Sequence, residues 1–271
     1  MAWEIILSSL ILSLVTLIPL GIKWEIEKKV SIPAAFLIGV LSGVIVYGIV
    51  GLCNLRFYQT LVLELFVIST ISISLLLWRF YRDPKRVSLE SEDVVLSPAD
   101  GKIIYVKKIE QGEIPFSEKK GNKFSLNDFI KTDVIPLGGY LIGMSMNFLN
   151  VHVNRAPISG KITLLKHIKG SFISLKRKEA VIQNERVLTV IDNGLLKVGI
   201  VQIASRLVRR IVTYLKEGNE IKRGERIGAI RFGSQVDLII PNLPSLNIEI
   251  NPGEEVKAGI SVVARFDRVL I

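Results

Sequence analysis

The 271 residues include 49% hydrophobic side chains and have a mean hydropathy of +0.42, too apolar for a chain folded wholly in water, so membrane segments are expected. A single cysteine, Cys53, excludes a disulfide framework or a cysteine-rich zinc site, and two histidines, His152 and His167, argue against a histidine-cluster metal centre. The net charge of +10 suits an anionic partner; with no recognition helix, zinc finger or aromatic RNA-binding pattern, the partner expected is a membrane and not nucleic acid.

Three apolar segments come first in the chain: Ile5 to Ile22, Pro33 to Cys53 and Leu61 to Trp78. Each is near the ~20 residues that cross a hydrocarbon core. Ser8, Ser9, Ser13, Thr16 and Pro19 in the first segment and Glu64 in the third leave an interfacial or re-entrant course open, so two or three transmembrane helices are predicted. Glu4 at the start and the lack of a small-residue cleavage site argue against a removable signal peptide. Lys23, Lys28 and Lys29 make the first loop basic, the second holds only Arg56, and the chain is basic again from Arg79. The positive-inside rule then puts the first loop and the C-terminal part on the cytoplasmic side of the cell membrane. Residues 1 to 78 balance four basic side chains against four acidic ones, so the whole net charge lies in the C-terminal part, where it attracts an anionic membrane surface.

The expected division is a membrane anchor over residues 1–80 and a domain over 81–271. From Val87 onward, short β-branched runs alternate with Gly, Pro and Asn: Val94–Leu96, Lys102–Lys108, Tyr140–Met146, Lys161–His167, Arg186–Asp192, Leu195–Ile203, Arg209–Leu215 and Ala229–Phe232. This spacing predicts a mainly β domain. Residues 110–134 read as a long polar loop, with a hint of helix at Leu126 to Lys131. Gly218-Asn-Glu-Ile-Lys-Arg-Gly224 and Gly253-Glu-Glu-Val-Lys-Ala-Gly259 echo each other 35 residues apart, each followed by an apolar run. Paired units of this kind look like the barrel-sandwich hairpins of biotinyl and lipoyl domains. The composition leaves homo-oligomer formation open.

With cysteine and metal chemistry set aside, a hydroxyl is the remaining nucleophile, and it needs a positioned base. His152, in Asn150-Val-His-Val-Asn-Arg-Ala-Pro157, is the base candidate, and a hydrogen-bonded structural histidine is the plain alternative. His167, between Lys166 and Ile168, reads as a solvated strand residue. Asp100 lies in a Ser97-Pro-Ala-Asp-Gly101 turn, where an aspartate commonly caps its own backbone. Ser234 lies in Phe232-Gly-Ser-Gln-Val-Asp237, and a Gly-Ser pair alone carries no information.

As an ordered set these segments, with Phe80-Tyr-Arg-Asp-Pro-Lys-Arg86, resemble the phosphatidylserine decarboxylase family, specifically its short branch that includes archaetidylserine decarboxylases. The resemblance covers about Phe80 to Phe266. It implies that the Ser234 hydroxyl attacks the carbonyl carbon of Gly233 and that the chain cleaves itself there, leaving residues 1–233 and a 38-residue fragment that stay associated. The fragment would begin with a pyruvoyl group made from Ser234, which takes up the electrons released as CO2 leaves a phospholipid serine headgroup, the task pyridoxal phosphate performs elsewhere. No metal and no pyridoxal phosphate are implied. His152, oriented by Asp100, would be the base for the hydroxyl, a role that needs the two side chains within hydrogen-bonding reach. Long-branch members have a second histidine three residues after the first. Here that position is Arg155, whose planar fork could bind the lipid phosphate or carboxylate. Gln235 stands where the long branch carries threonine. The competing readings are a membrane-tethered adaptor with a biotinyl-like domain, which leaves the conjunction of motifs unexplained, and a serine hydrolase, which would need a Gly-x-Ser-x-Gly elbow that is missing.

Overall fold

The computed structural model describes residues 2–24, 26–53, 55–88, 91–111, 116–119, 122–125, 138–168, 185–204, 211–230, 234–243 and 245–267, with residues 116–119, 122–125 and Ser234 described by their backbone alone. Two compact units emerge: residues 1–82 with 147–149, and residues 83–146 with 150–271.

The first unit contains α1 (Ala2–Lys23), α2 (Lys28–Cys53) and α3 (Phe57–Tyr81), all three long and apolar enough to span a membrane. The polar residues that left the span number open lie at helix contacts or bond to the helix backbone. Ser13 Oγ donates to the Ala35 carbonyl (2.7 Å), Ser8 Oγ to the buried Glu64 carboxylate (2.6 Å), and Thr70 Oγ1 and Ser72 Oγ to carbonyls one turn back. Small residues set the approach of α1 and α2: a Cβ on Gly39 would lie 2.8 Å from Leu10 Cα, and one on Gly43 2.8 Å from Ile6 Cα. Without a hydrophobic drive between helices in lipid, such close packing and hydrogen bonding hold them together.

The second unit is mainly β, as its run pattern predicts. Its strands are β1 (Val94–Leu96), β2 (Gly101–Ile109), β3 (Phe116–Lys119), β4 (Asn122–Ser125), β5 (Gly139–Met146), β6 (Val153–Arg155), β7 (Gly160–Ile168), β8 (Arg186–Asp192), β9 (Lys197–Ala204), β10 (Ile211–Thr213), β11 (Glu220–Ile221), β12 (Arg226–Ile230), β13 (Ser234–Pro241), β14 (Asn247–Ile248), β15 (Glu255–Val256) and β16 (Val262–Arg265). A curled antiparallel sheet has the order β11-β7-β8-β9-β13-β5-β2-β15, and two three-stranded sheets, β1-β16-β14 and β10-β12-β6, accompany it with the β3-β4 hairpin. Residues 126–131, the suggested helix, lie outside the described residues.

The glycine echo marks a duplicated unit. Leu96 N–H donates to Pro157 O while Arg155 N–H donates to Pro98 O, both at 2.9 Å. Gly259 N–H reaches Ser97 O as Gly224 N–H reaches Ala156 O, and Gly253 N–H reaches Ile103 O as Gly218 N–H reaches Ile162 O. Pro98-Ala-Asp-Gly-Lys-Ile103 and Pro157-Ile-Ser-Gly-Lys-Ile162 are thus equivalent turns, and β1-β16-β14 corresponds to β6-β12-β10. Gly224 and Gly259 both have positive φ, +80° and +68°, which an L side chain resists, and a Cβ on Gly259 would also lie 2.9 Å from Arg155 Cδ.

β13 is the longest of the strands that the run pattern overlooks. It pairs with β5 and β9 on its two sides, and its residues divide between two clusters of buried side chains: Val236, Leu238 and Ile240 in one, Ile239 in the other. Gly143 on β5 lies under the Tyr105 ring, into which a Cβ would run directly. Gly143→Ala is therefore expected to lower stability by about 1–3 kcal/mol through overpacking. A thermal midpoint equal to wild type in detergent would show instead that the ring moves aside freely.

Candidate active site

Asp100 follows Pro98 in the first of the duplicated turns and is 5% exposed. A buried carboxylate must be paired and fully hydrogen-bonded, and this one is. Arg86 grips it with both Nη atoms, at 2.5 and 2.9 Å, and Arg86 Nη1 also donates to Ala258 O at 2.8 Å. The Ala258 N–H donates to Oδ1 (2.9 Å) and the Val151 N–H to Oδ2 (3.2 Å). These donors account for the carboxylate's hydrogen bonds, and none of them is His152. The expectation of a direct side-chain bond between Asp100 and His152 is therefore replaced by a backbone link, through the residue immediately before the histidine.

His152 is 2% exposed, and its Nδ1 lies 2.9 Å from the Asn150 carbonyl. A carbonyl can only accept, so Nδ1 carries the proton and Nε2 the lone pair. The backbone carbonyl of His152 accepts from Ile230 N–H (3.1 Å), tying it to the end of β12. Burial pulls the imidazole down from 6.5 to about 4, opposed by the Asn150 hydrogen bond and by the Asp100 charge. The ring is thus neutral at ordinary pH, in the form a general base requires. His167 is half-exposed and pairs with Glu185 at 2.6 Å, on the surface of β7.

Gly233 lies outside the described residues. Ser234 opens β13, in register with Met146 of β5 on one side and Ala204 of β9 on the other. Asn154, two residues after His152, accepts from Gln202 Nε2 at 2.8 Å and lies 4.0 Å from Met146 S, so the histidine segment is linked to the register partner of Ser234 on β5 and, on β9, to the residue in register with Val236. Gln235 donates to Tyr105 Oη (3.0 Å) and to Asp237 (2.8 Å), all three buried.

Arg155 is buried, and its fork is directed at the protein itself: Nη2 to Asp83 (2.7 Å) and Pro84 O (3.0 Å), Nη1 to Gly224 O (2.9 Å). Arg226 Nε also pairs with Asp83. Burial pulls the Arg155 guanidinium below its usual value and Asp83 pushes it back up. The expected lipid-binding fork thus holds the segment that follows α3. Arg86, Asn150, Asn154 and Gln202 received no role from the sequence, although Arg86 closes the Phe80–Arg86 motif. Among the described residues, no group of three or more His, Cys, Asp or Glu side chains is arranged to hold a metal.

The chain was compared with known proteins. A family model described as phosphatidylserine decarboxylase matches residues 73–264. A protein of Methanocaldococcus jannaschii named as an archaetidylserine decarboxylase proenzyme is 42% identical over 201 residues, 74% of this chain and 95% of the relative. Its namesake from Methanothermobacter thermautotrophicus is 41% identical over 189 residues, 70% of this chain and 80% of the relative. A phosphatidylserine decarboxylase proenzyme of Pelodictyon phaeoclathratiforme is 38% identical over 187 residues, covering 69% and 77%. The family match begins inside α3, so α1 and α2 precede it.

The His152 shift fixes a pH dependence. Its folded value lies below the unfolded one, so above pH 6.5 both states are neutral and the group has no effect. As pH falls below 6.5 the unfolded chain takes up a proton that the folded chain refuses, and stability is lost until about pH 4. Between pH 7 and pH 5 wild type should lose about 2 kcal/mol more than His152→Gln. Melting curves of the two proteins that shift in parallel with pH would contradict this.

Proposed function

The chain belongs to the phosphatidylserine decarboxylase family and is a decarboxylase of serine phospholipids, and from that premise we propose that it matures by cutting itself between Gly233 and Ser234 to create a pyruvoyl group at Ser234. The observation that carries this reading is the change of sheet between β12 and β13, the two strands that flank the Gly233-Ser234 pair in the chain. β12, ending at Ile230, belongs to one sheet, and β13, starting at Ser234, to another. Each side of the bond is held by its own ladder, so a break between them leaves both fragments in place. Pairing along all eight residues of β13 with β5 keeps the 38-residue fragment bound without the covalent link.

The roles of the residues follow from their chemistry. His152, neutral and with its lone pair on Nε2, takes the proton from the Ser234 hydroxyl as that oxygen attacks the Gly233 carbonyl carbon; the peptide C–N bond breaks, its nitrogen takes up a proton, and the ester so formed eliminates across Cα–Cβ, freeing the Gly233 carboxylate, before water releases ammonia and leaves the pyruvoyl group. His152 is also available to return a proton after CO2 has left. Asn150 fixes its tautomer. The pyruvoyl group, once formed, supplies the electron sink for decarboxylation. The hydrogen-bonded Gln235, next in the chain, holds the start of β13 in place. Arg155 serves the protein's own fold, pinning Asp83 and Pro84, and leaves the lipid headgroup to other groups.

Three spans put the loop after α1 and the β unit on the same side of the membrane, and both are basic. This supports a cytoplasmic active site at an anionic surface, with the domain boundary at the exit from α3. Two relatives above 40% identity are named for archaetidylserine, which makes the ether lipid the first substrate to try, with diacyl phosphatidylserine beside it.

Intact-mass spectrometry of the purified chain tests the reading. Wild type should yield a 38-residue fragment with a pyruvoyl terminus in place of Ser234. Ser234→Ala should remain one chain and release no CO2 from either lipid, because it has neither the attacking hydroxyl nor the pyruvoyl precursor. An uncut wild-type chain that still decarboxylates would overturn the proposal.

A further inference from the structure

The duplicated turns supply an internal control on what Asp100 is for. In the second turn Ser159 occupies the position of Asp100, and its Oγ accepts from the Arg223 N–H at 3.0 Å just as Asp100 Oδ1 accepts from Ala258 N–H at 2.9 Å. A neutral hydroxyl therefore suffices to cap this turn. Asp100 adds a buried negative charge, a second oxygen that accepts from Val151 N–H, and the consequent need for Arg86. A buried charge is costly to desolvate, and capping alone does not explain it. The excess is directed at Val151, whose next neighbour is His152.

We infer that Arg86 is a positioning residue for self-cleavage: by clamping Asp100 in both planes it sets the Val151 amide, and through that amide the His152 imidazole. Arg86 lies five residues past Tyr81, the last residue of α3, so the chain leaving that helix is itself part of the catalytic centre's support. The same short segment is fixed a second time, by Arg155 and Arg226 on Asp83. A bidentate guanidinium fixes both distance and plane, which a lysine in its place would not. The inference rests on the self-cleavage reading for its kinetic consequence, while its geometric content can be tested without it.

Two measurements on the full-length protein in detergent test it. The first is the half-time of self-cleavage, by intact mass, for Arg86→Gln, Asp100→Asn, their double variant, Arg86→Lys and Ser159→Ala. Arg86→Gln and Asp100→Asn should each slow cleavage on the order of 100-fold, the scale of a small misplacement of a reacting group. The double variant should be no slower than either single one, since Arg86 acts through Asp100. Arg86→Lys, which keeps the charge, should fold and recover about tenfold of the loss. Ser159→Ala should lose a cap and some thermal stability yet cleave at the wild-type rate. The second measurement is hydrogen exchange over residues 147–153, which Arg86→Gln and Arg86→Lys should quicken and Ser159→Ala should leave unchanged. Additive losses in the double variant, equal slowing by Ser159→Ala, or wild-type exchange in both Arg86 variants would each overturn the inference. If wild type does not cleave, the self-cleavage reading falls and exchange alone decides the positioning role.

Discussion

The carboxylate of Asp100 is the point at which the catalytic unit is tied together. Its two oxygens meet a guanidinium from residue 86, an amide from residue 151 and an amide from residue 258, stretches that are far apart in the chain. In a medium of low polarity such a group is either fully satisfied or severely destabilising. Removing one partner of a buried pair costs about 3–5 kcal/mol because the other charge is left behind. The geometry around it is consequently stiff, and the segment that shares this stiffness carries His152, whose Nδ1 is fixed on the Asn150 carbonyl.

Stiffness here is built on a symmetric base. The two turns beginning at Pro98 and Pro157 exchange backbone hydrogen bonds with each other, and each takes one from a glycine of positive φ. One copy carries a serine and is satisfied by backbone alone. The other carries an aspartate and draws Arg86 into the interior. The asymmetry of charge on an otherwise repeated frame distinguishes one half of the repeat from the other.

The membrane unit obeys the opposite economy. There the polar groups are few and small, and they serve contact between helices. Ser13 bonds a backbone carbonyl of α2, Ser8 bonds Glu64 of α3, and glycines let α1 and α2 approach. A basic segment follows at once, and its Asp83 and Arg86 are locked into the β unit by Arg155, Arg226 and Asp100.

Composition and local pattern determined by themselves that the chain has long apolar spans followed by a basic β domain, because hydropathy and β-branched runs are properties of consecutive residues. The ordered motifs identified the family, and the glycine echo announced the duplication, since positive φ at a turn constrains residue type locally. β13 was not legible: buried on both faces, it shows no period-two alternation, and nothing after the run that ends at Phe232 marks Ser234 as the start of a further strand. The pairing of Arg86 with Asp100, the link from Asp100 to Val151, and the turning of Arg155 toward Asp83 were decided only in three dimensions. Each depends on which partner a charged group meets once it is buried, and that is set by contacts between segments 14 to 158 residues apart, about which neighbouring sequence carries no information.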